Sequence, residues 1–333
     1  MLRLPAFAYE APETLEEALD LLATRPGARL IAGGTDLLPN LKHGVEEAEV
    51  VVSLCHLPQM TEVVEKDDGS LELGAMVTLE NLSEHSAVQH RYPALSQAAG
   101  LVAGPHHRRM GTLGGNVCLN TRCVYINQTH FWREALGYCL KKDGEACHVV
   151  RKGKRCVAAA SNDTAPVLTT LDATLVLASR DRGERTIPIR DFYVQDGVNN
   201  KALEPDEMLL KVMVPPPASG LHSAYAKLRP RNSIDFPRLS VAVAFEVADG
   251  LVQRAQVVLS ALAARPLAVR KLDEITKGRE PGEDLWELIA AESHAQAHPL
   301  SNIDSDPTYR REMVPVYVRR ALRHALKEGA SQT

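Results

Sequence analysis

IAGGTDLLPNL, residues 31–41, places paired glycines where a predicted strand gives way to a predicted helix. The pattern predicts a strand over Arg29–Ala32 and a short helix over Leu37–His43. Glycine lacks a Cβ atom, so the backbone can approach a phosphate closely and direct its N–H groups at it. A helix N-terminus adds a favourable dipole. The stretch therefore indicates a phosphate-binding turn, although one pair of glycines is more often only a turn.

A second glycine pair lies in GTLGGNVC, residues 111–118, and we interpret it as a second glycine-rich loop. Both pairs stand beside a small hydroxyl residue in the same half of the chain. Two such loops could hold both phosphates of a dinucleotide. Neither matches the G-x-G-x-x-G fingerprint or the G-x-x-x-x-G-K-[ST] loop. The sequence therefore disfavours a Rossmann dehydrogenase and a P-loop ATPase.

Helices and strands alternate around the first loop. Thr14 and Glu17 form a capping-box pattern ahead of a predicted helix over Leu15–Thr24, and a strand is predicted over Glu49–Leu54. Further along, strands are predicted for LELGAMVTL, TLVLAS and MLLKVMV, and a helix for NDTAPVLTTLDA with Asn162 or Asp163 near its N-cap.

The last third of the chain is predicted to form a separate domain. It follows a predicted linker at Pro215–Pro217. A hairpin is predicted to turn at Asp249-Gly250, followed by helices over Glu283–Gln296 and Tyr309–Lys327.

The composition suits a multi-domain protein without a strong overall charge. A chain of 333 residues with 45% apolar residues is long enough for two or three domains with substantial cores. A formal charge of −4 implies no global attraction to nucleic acid or membrane. We find no apolar run of about 18 residues and no signal peptide, so the expected location is cytoplasmic.

Five of the six cysteines lie between Cys118 and Cys156. In a reducing compartment, clustered thiols are more often metal ligands than disulfides. Tight C-x2–4-C pairs, typical of zinc sites, are absent, as is the compact ferredoxin run. The spacing alone leaves zinc, an iron–sulfur cluster and ordinary thiols open. Cys55 stands apart in the apolar run VVVSLCHL and is predicted to be a buried core thiol.

The cysteine segment is basic. Residues 122–156 carry eight Lys or Arg and three Asp or Glu, a net charge of +5. Nearby cations would lower the pKa of the thiols and stabilise a negatively charged metal centre. The alternative is a solvated basic loop that docks an acidic partner.

Over its whole length the chain resembles the FAD-binding medium subunits of the xanthine dehydrogenase family of molybdenum hydroxylases. The resemblance rests on IAGGTDLLPNL, TLGGN, NDTAPVLTTLDA, DEMLLKVMVPPP and SAYAKLRPRNSIDFPRLSVAVA. About forty residues with four cysteines are inserted after TLGGN. TRCVYINQTHFWR, GYCLK, CHV and RC resemble the insertion of one branch, the beta subunits of 4-hydroxybenzoyl-CoA reductase, which carries a 4Fe–4S cluster.

The resemblance implies a set of FAD-binding and cluster-binding residues. The FAD pyrophosphate would be lined by Ala32, Gly33, Gly34, Thr35 and Asp36. The second wall of the FAD site would be formed by Thr112, Gly114, Gly115 and Asn116. Asp163 would contact the ribose region, and Leu209 and Lys227 the isoalloxazine ring. The cluster ligands would be Cys123, Cys139, Cys147 and Cys156, but not Cys118.

Some of these residues have a second interpretation. Asp36 and Asp163 are also candidate helix N-caps. GPHHRRMG departs from the family pattern, so His106–Arg109 could contact FAD phosphate or form a solvated surface turn.

The implied fold is mixed α+β, unlike a doubly wound Rossmann sheet. An FAD-binding domain would span residues 1–217, with subdomains of about 1–55 and 56–217 and the iron–sulfur insertion at about 118–157. Residues 218–333 would form a C-terminal domain of antiparallel sheet plus helices.

The resemblance also implies function and partners. Electrons would pass from ferredoxin through the 4Fe–4S cluster and FAD to 2Fe–2S clusters on a small subunit. They would then reach a molybdenum cofactor on a large subunit, for reductive dehydroxylation of an aromatic CoA thioester in anaerobic aromatic degradation. The assembly would be a dimer of heterotrimers, with no catalytic acid or base in this chain. One alternative is the FAD subunit of a purine, N-heterocycle or aldehyde hydroxylase passing electrons outward, and another is a zinc-binding protein without redox function.

Overall fold

A computed structural model describes residues 2–330, whose strands form three sheets. The first is a parallel sheet in the order β1-β3-β2, with β3 fully buried at its centre. Its elements are β1 (Ala8–Glu10), α1 (Leu15–Thr24), β2 (Ala28–Ile31), α2 (Leu37–Lys42) and β3 (Val50–Ser53). Helix α1 begins at the predicted capping box, in which the Glu17 N–H donates to Thr14 Oγ1 at 3.2 Å. It buries Ala18, Leu19 and Leu22.

The second sheet has the order β4-β5-β8-β6-β7, with antiparallel neighbours. Its core is continuous with that of the first sheet. The elements are β4 (Val63–Glu65), β5 (Leu71–Gly74), α3 (Leu79–Glu84), α4 (Ser86–Arg91), α5 (Pro93–Gly100), α6 (Pro105–Met110), α7 (Leu113–Val117), α8 (His130–Ala135), α9 (Thr164–Thr170), β6 (Thr174–Ser179), β7 (Gly183–Pro188), α10 (Ile189–Phe192) and β8 (Glu207–Val214).

The third sheet is antiparallel, in the order β12-β11-β10-β9, and packs against the two longest helices. Asp249 and Gly250 turn the β10–β11 hairpin with positive φ angles of 52° and 76°, as its Asp-Gly sequence predicts. The elements are β9 (Leu221–Leu228), β10 (Leu239–Ala248), β11 (Leu251–Ser260), β12 (Leu267–Ala268), α11 (Leu272–Thr276), α12 (Glu283–Gln296) and α13 (Pro307–Ala330).

The predicted fold class is confirmed, whereas one core prediction is wrong. Cys55 is exposed, because β3 ends at Ser53 and the chain turns outward immediately after Leu54. The predicted domain limits stay a prediction, although β8 ends and β9 begins on either side of Pro215–Pro217. Across residues 2–330, none of the helices combines the length and apolar character needed to cross a bilayer.

Candidate functional site

A cleft of about 750 Å³ brings the two glycine-rich segments together. It is also lined by the start of α9 and by residues of β8 and β9. The predicted FAD residues that line it are Ala32, Gly33, Gly34, Thr35, Asp36, Thr112, Gly115, Asn116, Asp163, Leu209 and Lys227. Gly114 is the exception, because it lies beneath the cleft and packs against Ala75.

The two glycine-rich segments touch through backbone atoms. A Cβ atom on Gly33 would lie 1.7 Å from the carbonyl oxygen of Met110, just before the second segment. A Cβ atom on Gly114 would lie 2.7 Å from Ala75 Cβ. Gly34 has a φ of +69°, a conformation that suits glycine. Gly33 is therefore required for the close approach of the two segments, whatever ligand they hold.

The second glycine-rich segment is a short helix, so the prediction of a loop there is wrong. Helix α7 begins after Thr112, whose Oγ1 accepts from the Gly115 N–H at 3.1 Å. This N-cap bond stabilises a helical turn in spite of the two glycines. Gly115 is exposed to the cleft, while Gly114 is buried on the opposite side.

Asn116 caps α9 in place of Asp163. Its Oδ1 accepts from the Thr164 N–H at 3.0 Å and from the Thr164 hydroxyl at 2.7 Å. Asp163 occupies the N-cap position, as the sequence predicted, but its carboxylate makes no capping bond. The carboxylate is instead used in other contacts in the wall of the cleft.

Asp163 forms a buried polar cluster with two residues of β9. Tyr225 Oη donates to Asp163 Oδ1 at 2.5 Å, and Lys227 Nζ donates to Oδ2 at 2.9 Å. The Lys227 side chain is 1% exposed and that of Asp163 3%. Burial raises the pKa of Asp163 and lowers that of Lys227, while their mutual attraction opposes both shifts. The cluster thus joins the last sheet to the floor of the cleft.

Replacing Lys227 by methionine is expected to lower the free energy of unfolding by about 3–5 kcal/mol, because it leaves the Asp163 charge buried and unpaired. Urea unfolding of the full chain measures this. Glu283→Gln is the control, since it breaks an ion pair with Arg323 at the surface and is expected to leave the midpoint unchanged. A Lys227→Met variant as stable as that control would contradict the assignment of a buried charge pair.

Asp36 is also engaged elsewhere. It stands at the N-cap of α2, as the sequence predicted, but its carboxylate makes no capping bond. Its carboxylate accepts from Asn40 Nδ2 at 3.0 Å and contacts the guanidinium of Arg122. Arg122 also stacks over the ring of Phe236, 4.7 Å from its centroid. Burial lowers the pKa of Arg122 to about 10, so it remains a cation in the cleft wall.

The segment His106–Arg109 forms part of helix α6, largely at the surface, rather than a turn. Arg109 Nε pairs with Glu80 at 3.0 Å, and Arg108 Nη1 donates to the carbonyl of Val102. Only His107 of the four lines the cleft.

A second, smaller cavity lies beside the cleft and is lined by Cys123, Cys139, Cys147 and Cys156. On the same measure as the cleft, this cavity has a volume of about 20 Å³. Burial, together with repulsion from the three other thiols, raises the pKa of Cys123 to about 11. Such a group of thiols loses its protons readily only when a cationic centre compensates the charge. Among the described residues, no three or more Cys, His, Asp or Glu are grouped to hold a single metal ion.

Asn302, from the segment between α12 and α13, holds both ends of the cysteine segment. Its carbonyl accepts from the Val124 N–H at 2.9 Å, and its Nδ2 donates to the Val157 carbonyl at 2.5 Å. These two residues directly follow Cys123 and Cys156. Asn302 thereby fixes the backbone next to two of the four cysteines.

The basic residues of the cysteine segment mostly lie away from the cavity. Arg122 faces the cleft, Lys142 pairs with Glu47, and Arg133 donates to the His43 carbonyl. The exposed members are Arg151, Lys152, Lys154 and Arg155. Among the described residues lining the cysteine cavity, Lys141 is the only Lys or Arg. Several cations were expected near the thiols, but among the residues lining the cavity the structure places one there.

Cys118 lines the larger cleft and not the cysteine cavity. This agrees with the prediction that Cys118 is not a cluster ligand. Burial raises its pKa to about 11. It is therefore a neutral thiol in the wall of the cleft.

Sequence reasoning missed several site residues. Tyr225 could have been found, since it stands two residues before Lys227 on a strand and so shares its face. Arg122 directly precedes a predicted ligand, which was a weaker signal. Lys141 and Asn302 had no local signal, because their partners are distant in sequence.

Comparison with known proteins covers almost the entire chain. Residues 5–217 match the family model described as the FAD binding domain in molybdopterin dehydrogenase, and residues 223–325 match the CO dehydrogenase flavoprotein C-terminal domain. The aldehyde oxidoreductase FAD-binding subunit PaoB of Escherichia coli (strain K12) is 31% identical over 88% of this chain and 92% of its own length. The xanthine dehydrogenase FAD-binding subunit of Escherichia coli O157:H7 is 26% identical over 96% of each chain.

Solved structures show the same fold. A chain of carbon monoxide dehydrogenase from Hydrogenophaga pseudoflava superposes with a TM-score of 0.80 at 25% identity, covering 98% of this chain and 99% of that one.

Proposed function

This chain belongs to the FAD-binding medium subunits of the xanthine dehydrogenase and CO dehydrogenase family of molybdenum hydroxylases, and from this premise we propose that it also carries an iron–sulfur cluster. It is an oxidoreductase subunit that would exchange electrons between the two cofactors. When bound, FAD supplies one- and two-electron exchange and the cluster one-electron exchange. The chain's own residues hold, separate and tune the two groups.

The cleft fits FAD. Gly33 and Gly34 line the cleft beside the start of α2, where their backbone N–H groups would bind a pyrophosphate, and Gly115 is open on the facing wall. The buried Asp163 and Lys227 would contact the ribose region and the isoalloxazine ring. A fixed cation near the ring stabilises anionic reduced flavin. We therefore assign the FAD-binding residues as the sequence predicted them, with Gly114 acting through packing.

The observation that carries the cluster assignment is the convergence of four cysteines on one cavity. They come from positions spread over residues 123–156, and nothing in their spacing requires them to meet. Four thiols around one cavity suit a 4Fe–4S cluster, which is normally held by four cysteine thiolates.

For the complex as a whole we propose a molybdenum hydroxylase acting on a purine, an N-heterocycle or an aldehyde. The relatives named above are FAD-binding subunits of a xanthine dehydrogenase and an aldehyde oxidoreductase. The partners would be a large subunit with the molybdenum cofactor and a small subunit with 2Fe–2S clusters. The four-cysteine cavity favours a second candidate, a 4-hydroxybenzoyl-CoA reductase-like complex supplied by ferredoxin.

Assays on the holoenzyme co-purified with its partners separate the two candidates. Oxidation of an aldehyde or a purine with an artificial electron acceptor supports the hydroxylase. Formation of benzoyl-CoA from 4-hydroxybenzoyl-CoA with reduced ferredoxin supports the reductase. Absence of any molybdenum subunit from the purified complex would contradict both.

If ferredoxin is the donor, its docking should depend on the exposed basic residues Lys152 and Lys154. Replacing both by glutamate is expected to slow reduction by ferredoxin roughly tenfold at low ionic strength and to weaken its salt dependence. Stopped-flow absorbance of the flavin measures the rate. Lys277→Glu is the control, since Lys277 is exposed outside the cysteine segment. An unchanged rate in the double variant would reject this docking surface.

A further inference from the structure

A thin partition separates the FAD cleft from the cysteine cavity. Asn120 and Arg122 line the cleft, whereas the next residue, Cys123, lines the cavity. Arg122 forms a backbone bridge with Ala159, which keeps this stretch extended.

Lys141 is fixed inside this partition. Its Nζ donates to Asn120 Oδ1 at 2.9 Å, Thr121 Oγ1 at 2.7 Å and the Gly197 carbonyl at 2.5 Å. An ammonium group has three N–H donors, so all three are used and the group cannot swing elsewhere. All three acceptors are uncharged, and the positive charge is therefore not neutralised by a carboxylate bonded to it.

Gly197 connects this ammonium group to a predicted ligand. Its N–H donates to the Cys156 carbonyl at 2.9 Å, and a Cβ atom added to it would lie 2.6 Å from Cys156 Sγ. Lys141 is thus held beside the cysteine cavity through the backbone that packs on Cys156.

The charge of Lys141 acts unequally on the two sites. On the cleft side, Glu46 opposes it, since Glu46 Oε1 accepts from Asn120 Nδ2 at 2.8 Å and also lines the cleft. On the cavity side, the lining residues that the structure describes include no Asp or Glu. Lys141 lines the cysteine cavity, where the dielectric constant is low. Its unopposed positive charge there would strongly stabilise an electron added to a cluster in the cavity.

We propose that Lys141 sets the relative electron affinity of the two sites by making the iron–sulfur cluster easier to reduce than it would otherwise be. This rests on the proposed function, because it requires both cofactors. In this exchange one electron would leave the cofactor that is oxidised and reduce the other, while Lys141 forms no bond and exchanges no proton or electron.

The test is a redox titration of the full chain, with the cluster followed by EPR and the flavin by visible absorbance. In Lys141→Gln and Lys141→Met, the cluster midpoint potential is expected to fall by at least ~59 mV, a tenfold change in a one-electron equilibrium. The flavin midpoint is expected to move by less than half as much. Lys141→Arg is expected to restore the wild-type cluster potential in large part.

Lys142→Gln is the matched control, because it removes the same charge one residue along, where Lys142 pairs with Glu47. The proposal is overturned if both neutral variants keep iron and FAD but shift the cluster no more than this control does. It is also overturned if both lose the cluster, since Lys141 would then serve assembly. A wild-type chain without a cluster signal would instead refute the proposed function.

Discussion

Replacing Cys139 or Cys147 by serine is expected to remove at least nine-tenths of the iron and acid-labile sulfide from the purified chain while FAD stays bound. Both thiols line the cysteine cavity, and neither lines the FAD cleft. A serine hydroxyl is a poor ligand for a cluster that is normally held by four thiolates. Iron, sulfide and flavin analysis of anaerobically purified variants measures the effect.

Cys55→Ser is the control for this experiment. Cys55 is exposed and lies outside both cavities. Its replacement should therefore leave the iron, sulfide and flavin contents at the wild-type level. If the Cys139 and Cys147 variants retained wild-type iron and sulfide, the assignment of these ligands would be wrong.

Gly33→Val is expected to weaken FAD binding roughly a hundredfold, or about 2.7 kcal/mol. Any Cβ atom at this position would collide with the Met110 carbonyl, 1.7 Å away, so the two glycine-rich segments must separate. Met110 is the last residue of α6, and Gly33 lies in the short turn between β2 and α2, so relieving the collision must displace one of these elements. Flavin retained after gel filtration and fluorescence titration of the apoprotein measure the loss.

Gly282→Ala is the matched control, because a Cβ atom there meets nothing within 4 Å and the residue is remote from the cleft. It should bind FAD like the wild type. Wild-type affinity in Gly33→Val would show that the contact between the two segments does not form the FAD site.

Local signals in the sequence predicted much of the fold. The capping box at Thr14 and Glu17 predicted the start of α1, and Asp249-Gly250 predicted the β10–β11 turn. Each depends on residues within a few positions of one another, where short-range geometry dominates. The prediction that Cys55 is buried was wrong because burial depends on where the strand ends. The apolar residues before it belong to β3, and the chain leaves the core directly after Leu54.

Most of the residues that the sequence predicted for FAD line one cleft, but the contacts among them were not predictable. The resemblance placed Asp163 and Lys227 near the flavin, yet only the fold brings them together at 2.9 Å. The side chain of Asn116, and not that of Asp163, caps α9, and no local sequence pattern indicates this. Asn302 reaches Val157 across 145 residues of sequence, and such contacts depend on the packing of whole domains.

Metal, sulfide and flavin content of the anaerobically isolated wild-type chain, combined with EPR after dithionite reduction, tests the central claim most directly. We predict about four irons and about four sulfides for each FAD, together with the EPR signal of a reduced 4Fe–4S cluster. Zinc in place of iron, or flavin without iron and sulfide, would contradict the account.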